Sequence, residues 1–153
     1  MHTLIIGLGN ELLGDEGVGV HAVRALEPGS LPAGTAVLEV GTAILDAVDA
    51  LTAPERIIVI DAMKAGGRSG TVYRIPLSDC GGQPCIASMH GFDIFRVLAL
   101  AGRTDIPEII VFGVEPHSIA WSMALSHQVQ EAIPQLLEAV RSETVESIQM
   151  SMT

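Results

Sequence analysis

Short runs of Ile, Val and Leu alternate along the chain with stretches in which apolar residues recur every three or four positions, the two periods of strand and helix. Residues 3–7 read as a strand and 17–27 as a helix, with Val18, Ala22, Ala25 and Leu26 on one stripe. After the turn PGSLPAG, residues 35–40 form a second strand and 43–51 (AILDAVDAL) a short helix. Residues 56–61 (RIIVID) are nearly continuous in apolar side chains, as suits a central parallel strand covered on both faces. Only eight residues, AMKAGGRS, separate Asp61 from the strand-like GTVYRI at 70–75. A parallel crossover needs roughly a dozen or more, so the fourth strand is expected to run antiparallel to the third. Residues 90–101 read as a helix with Ile94, Val97, Leu98 and Ala101 on one stripe and Ser88 as a candidate cap. Residues 106–114 contain a fifth strand, and 125–141 a last helix bent near Pro134, whose ring removes a ladder hydrogen bond. The expected architecture is α/β: a three-layer sandwich whose mixed five-stranded sheet, mostly parallel with one antiparallel strand, is flanked by helices. It fills residues 1–141 as one domain, and 142–153 form a polar, frayed tail.

Composition and charge narrow the partners. Apolar residues make up 48% of the 153 and charged residues 17%, enough for a sizeable core. No apolar run approaches the roughly 20 residues of a membrane helix, and the N-terminus lacks a basic region, so no membrane partner and a cytoplasmic location are expected. Eight basic residues against 18 acidic ones give a formal charge of −10. Binding to phosphates needs a basic face, so no nucleic-acid partner is expected. Cys80 and Cys85 share one loop in a C-x4-C spacing that matches no zinc knuckle, and they read as ordinary thiols.

In open α/β sheets ligands gather beyond the carboxyl ends of the parallel strands. Three segments end there in polar residues: Asn10, Asp15 and Glu16 after the first strand, Asp61 at the end of the third, and Glu115 with His117 after the fifth. The first lies in IGLGNELLGDEGVG (6–19), which has Gly7-x-Gly9 but Leu12 where a dinucleotide fingerprint needs its third glycine. Asp15 and Glu16 also place negative charge where a pyrophosphate would need a helix N-terminus, so a cation is favoured over a phosphate. Gly7 and Gly9 let the chain leave the strand tightly, and Asn10 tolerates left-handed geometry and ties the loop with its amide. Each acid also has a plainer reading. Asp15 or Glu16 complements a helix dipole, Asp61 bonds loop amides, and a lone His90 is structural or exposed. Taken together, Glu16, Asp61 and His90 come from three segments that the fold brings to one rim. Two carboxylates and one imidazole suit Ni, Zn, Fe or Mn, with room left for water or substrate. There is no G-x-S-x-G elbow and no H-E-x-x-H. A Cys80 or Cys85 nucleophile paired with His90 or His117 is disfavoured, because the surrounding acids raise a thiol pKa.

Four stretches, GLGNELLGDEGVG (7–19), VIDAMKAGG (59–67), SMHGFDI (88–94) and FGVEPHSIAW (112–121), resemble in content and order the hydrogenase maturation endopeptidases. The similarity covers about the first 140 residues. Members of that family finish the large subunit of nickel-iron hydrogenases on a mixed five-stranded sheet. Their nickel ligands are an acid in the D-[DE]-G stretch, an Asp ending the third strand and a His at a helix start, which correspond to Glu16, Asp61 and His90. Where such proteases often carry acid-Gly-Gly-Thr after the second strand, this chain has Glu39-Val40-Gly41-Thr42. The resemblance implies an aspartyl-type endopeptidase and enzyme activator that trims the C-terminal extension of a large-subunit precursor. Nickel already carried by the precursor would contact the trio, and isolated protein would take up adventitious zinc or cadmium there. It further implies that Gly14, Gly17 and Gly19 keep the loop and first helical turn bare for the approaching precursor; the default expectation for assembly is a monomer that docks transiently. Two rival readings stand beside this one. GLGN also opens peptidyl-tRNA hydrolases, although Glu11 and Leu12 replace the proline and glycine expected after Asn10. The other is a non-catalytic nickel-binding maturation chaperone using the same trio.

Overall fold

The apolar runs assemble into a single sheet. The computed structural model describes residues 2–77 and 91–152, with strands β1 (Thr3–Leu8), β2 (Thr35–Gly41), β3 (Arg56–Ala62), β4 (Val72–Pro76) and β5 (Glu108–Val114). Helices α1 (Val18–Ala25), α2 (Gly91–Leu100) and α3 (His127–Met152) complete the elements. The strand order is β2-β1-β3-β5-β4. β1 pairs in parallel with β2 and β3, β3 pairs in parallel with β5, and β4 lies antiparallel on β5 at the edge. The sheet is therefore mixed and five-stranded, as the short 62–69 connection requires. That connection carries the chain past the end of β5 rather than folding it back as a hairpin on β3.

Alternate residues of the central strands feed two cores. On one face Ile5, Ile58, Ile60, Ile110 and Phe112 meet Val18, Ala22 and Val23 of α1 and Val129, Ile133 and Leu136 of α3. On the other Leu4, Ile6, Ile57, Val59 and Val111 meet Ile94, Val97 and Leu98 of α2 together with Ala47 and Leu51. Every residue of β3 is buried, which accounts for its unbroken apolar run.

Three boundaries differ from expectation. The 43–51 segment forms two short 3-10 turns, Ile44–Ala47 and Asp49–Leu51, rather than one helix. Only Ala47 and Leu51 are fully buried there, too small an apolar face to hold a regular α-helix. α1 ends at Ala25, with Leu26 already extended, ahead of the proline at 28.

The third difference lies in α3, which runs on to Met152 instead of ending at Arg141, with Pro134 inside it. The first turn beyond Arg141 is anchored, with Glu143 and Thr144 buried. Glu143 is 4% exposed; Arg56 donates to its carbonyl oxygen at 2.7 Å and to its carboxylate, and Arg74 donates to the same carboxylate at 2.7 and 3.0 Å. Arg56 Nε also lies 3.3 Å from Glu108 Oε2. This cluster closes the N-terminal edge of the sheet, where β3 and β5 begin. Among the described residues no helix is long and apolar enough to cross a membrane.

Candidate functional site

β1 and β3 are neighbours from which the sheet grows in opposite directions, to β2 on one side and to β5 on the other. At such a reversal the connections leave on opposite sides and a crevice opens beyond the strand ends. Glu16 follows β1 and Asp61 belongs to β3, so both candidate acids flank this crevice.

Glycines set how closely they approach. A β-carbon at Gly7 would collide with the Gly19 backbone, and one at Gly19 with the backbone of Leu8 and the carbonyl of Ile60. The start of α1 therefore rests directly on β1 and β3. Gly9 has φ +116°, and a β-carbon there would overlap the Glu16 carbonyl while lying 3.5 Å from Asp61 Oδ1. The Glu16 segment and the Asp61 carboxylate thus close around one glycine. Glu16 is 7% exposed and Asp61 fully buried, and Asp61 Oδ1 accepts the Ala62 N–H at 2.8 Å.

Two details of the loop depart from expectation. Gly14, Gly17 and Gly19 are buried rather than left bare for a partner; Gly17, for instance, packs on Glu11. The left-handed conformation falls on Gly9 and not on Asn10, since no described residue other than glycine has a positive φ. Asn10 does tie the loop, its Oδ1 accepting the Leu12 N–H at 3.0 Å.

Asp15 and Glu16 are adjacent acids with separate surroundings. Asp15 Oδ2 accepts the N–H groups of His117 (2.8 Å) and Ser118 (2.9 Å) and the Ser126 hydroxyl (2.8 Å), and Oδ1 accepts the Ser126 N–H (2.7 Å). Burial works to raise its pKa, but the bonds from Ser118, Ser126 and His117 outweigh it and hold the carboxyl below the ordinary range. Asp15 therefore staples the β1–α1 loop to the β5–α3 connection, while standing in the first turn of the 14–17 helical segment.

Glu115 plays the matching role at β5. Its Oε1 accepts the N–H groups of Ala65 (3.0 Å) and Gly67 (2.7 Å) and the Tyr73 hydroxyl (3.1 Å), fixing the loop that passes over the end of β5. Arg24 bridges Glu11 and Glu39, both at 2.6 Å, and so ties α1 to the loop after β1 and to β2. Nothing in the sequence distinguishes these holding acids from the candidate site acids. Val40, which stands where the resemblance has glycine, packs on the core beside α2.

His90, Cys80, Cys85 and Ser88 lie outside the described residues. α2, which starts at Gly91, runs away from the rim. Its Arg96 and Val97 face residues 42–46, just past the end of β2, while Arg103 beyond its far end donates to the Leu51 and Pro54 carbonyls at 3.2 and 2.6 Å, near the start of β3. Among the described residues no three His, Cys, Asp or Glu side chains gather as a metal site. His117 lines a separate cleft of ≈ 480 Å³ with Lys64, Gly67, Glu115 and Ser118, three residues on from Asp61.

Comparison with known proteins converges on one group. The model of the HycI hydrogenase maturation proteases matches residues 20–143, a span that includes positions 61 and 90 and begins four residues after Glu16. The chain is 29% identical over 161 residues to the hydrogenase 2 maturation protease of Escherichia coli K12, covering 97% of this chain and 96% of that protein. It is 31% identical over 143 residues to the hydrogenase expression/formation protein HupD of Thiocapsa roseopersicina, covering 88% of this chain but only 64% of that longer protein. The solved structure of the E. coli hydrogenase maturating endopeptidase HybD superposes with a TM-score of 0.80 at 28% identity, over 96% of this chain and 94% of that one.

Proposed function

The chain belongs to the hydrogenase maturation protease family, and from that membership we propose that it is the endopeptidase that removes the C-terminal extension of a nickel-iron hydrogenase large-subunit precursor. The observation that supports the reading is that the Glu16 main chain and the Asp61 carboxylate both approach Gly9, beside the point where the strand order reverses. His90 joins them by resemblance, and α2, beginning one residue later, starts on the rim side.

In this reading nickel arrives on the precursor and is part of the substrate. Glu16, Asp61 and His90 would engage it, so that only a loaded precursor is held with its scissile bond in place. Two carboxylates and an imidazole suit such a divalent ion and leave coordination positions for the precursor's own ligands. The cation supplies Lewis acidity for the scissile carbonyl or for the attacking water, whose pKa a bound metal lowers to near neutrality. One of the acids can alternatively take the proton as general base. The protein works as a monomer that docks and leaves. Once isolated, it takes up zinc or cadmium at the same acids.

His90→Ala, assayed on nickel-loaded precursor by the gel shift of the large subunit, is expected to slow processing by at least about 100-fold, above the ~10–100-fold typical of residues that only support metal ligands. Processing at the normal rate would remove His90 from the site. A non-catalytic chaperone would bind the precursor and leave its intact mass unchanged.

A further inference from the structure

The β1–α1 loop and the β5–α3 connection meet in a way the proposed chemistry does not use. Leu13 and Ser122 form an isolated parallel bridge, with Ser122 N–H donating to Leu12 O at 3.0 Å and Gly14 N–H to Ser122 O at 2.8 Å. In this register Leu12 lies opposite Trp121, with Met123 two residues further along. These three side chains are 44%, 82% and 62% exposed. Single exposed apolar residues are ordinary. Here, however, three large ones sit together, and one is the only tryptophan of the chain.

The platform beneath them is stiff. Asp15 holds Ser118 and Ser126 on either side of the 119–125 stretch, and Ser122 Oγ accepts the Ala124 N–H at 3.1 Å. A surface already ordered loses little conformational freedom when it binds. Leu12 also shares one tight loop with Glu16, whose N–H donates to the Leu13 carbonyl at 3.4 Å.

We infer that Leu12, Trp121 and Met123 form the docking surface for the folded large-subunit precursor, with Trp121 as the anchor. The inference rests on the function proposed above. A second copy of the chain is a poor occupant, because each copy carries −10 and the two would repel. Three side chains also fall far short of the ~1,200–2,000 Å² of a stable interface. They suit a partner that engages briefly, and the precursor is the partner that must reach this rim. Trp is enriched among the residues that anchor interfaces, and Met adapts to irregular surfaces. Against an acidic protein, the complementary surface is an apolar pocket with a basic border.

The single tryptophan makes the test direct. Protein labelled with 5-fluorotryptophan has one ¹⁹F resonance, to be followed while unlabelled, metal-free precursor is added; the patch touches no metal, so this precursor serves as the probe. The resonance is expected to shift or broaden saturably. Trp121→Ala should raise KM for nickel-loaded precursor about tenfold and leave kcat within about twofold, with Trp121→Phe recovering part of the loss. Met123→Ser should raise KM less. If the unaltered protein cuts nickel-loaded precursor while the resonance stays fixed and KM is unchanged in Trp121→Ala, the docking surface is wrong and the peptidase stands. If the unaltered protein does not cut loaded precursor, both fall.

Discussion

The two edges of the sheet handle buried acids in opposite ways. At the N-terminal edge, Glu143 is enclosed by Arg56 and Arg74, and Glu108 adds a second acid to Arg56. At the C-terminal rim, Asp15 is held by N–H groups and a serine hydroxyl, Glu115 by N–H groups and a tyrosine hydroxyl, and Asp61 accepts the N–H of Ala62. An arginine fixes a carboxylate and cancels its charge, whereas an amide fixes it and leaves the charge in place. One edge is thereby a neutral clasp for α3. The other holds Asp15 and Glu115 through amide and hydroxyl donors, the setting in which the proposed cation site would lie.

Changes at the two edges should therefore separate activity from stability. The largest expected effect is at the rim: Asp61→Asn keeps the side-chain volume and an acceptor for Ala62 but removes the charge. Processing of nickel-loaded precursor should fall more than about 100-fold, beyond what supporting residues of a metal site cost, with the urea midpoint little moved. Glu143→Ala should do the reverse. It leaves buried Arg56 with only the more exposed Glu108 carboxylate and a backbone carbonyl, and should cost about 3 kcal/mol in urea unfolding, with turnover per folded molecule intact. A loss of turnover without a loss of stability would erase the contrast between the edges.

Asp15→Asn sits between them, because Asp15 belongs to the rim yet acts as a staple. It should destabilise by about 1.5–3 kcal/mol at neutral pH, the value of hydrogen bonds to a charged group. Its pH dependence sharpens the point. The folded-state pKa lies below the ordinary 3.8, so its stabilising contribution is present above about pH 4 and lost as pH falls through the lowered value. Glu143 behaves likewise from 4.5: burial raises its pKa, but Arg74 and Arg56 outweigh that. Replacing Asp15 should flatten the acid limb of a stability–pH curve, and an unchanged limb would mean that the staple carries no stability. The smallest effect is expected for Arg24→Ala, since its bridges to Glu11 and Glu39 are solvent-exposed and screened by salt. Its change in melting temperature should shrink further as salt is added.

The strands were legible because their apolar runs are local and nearly unbroken, and the antiparallel edge strand followed from a count of connecting residues. Asp61 and Glu16 could be read as rim residues for the same reason, since strand ends fix where they emerge. The end of α3 was not legible. Its continuation depends on Arg56 pairing with Glu143, 87 residues away, and a polar segment looks frayed until that partner is known. Nor could neighbouring acids be told apart: that Asp15, and not Glu16, takes the amides of residues 117, 118 and 126 depends on contacts more than 100 residues away. The glycines misled in a related way. Gly14, Gly17 and Gly19 suggest an open face, whereas the absent side chains are what lets backbones touch inside the fold.

The central claim is that the rim recognises a cation delivered by the substrate. It is tested most directly by incubating the purified protein with two forms of the same large-subunit precursor, nickel-loaded and metal-free, and measuring the intact mass of each. The loaded form should lose its C-terminal extension while the metal-free form keeps it. Equal cleavage of both would contradict a cation-reading site at Glu16, Asp61 and His90.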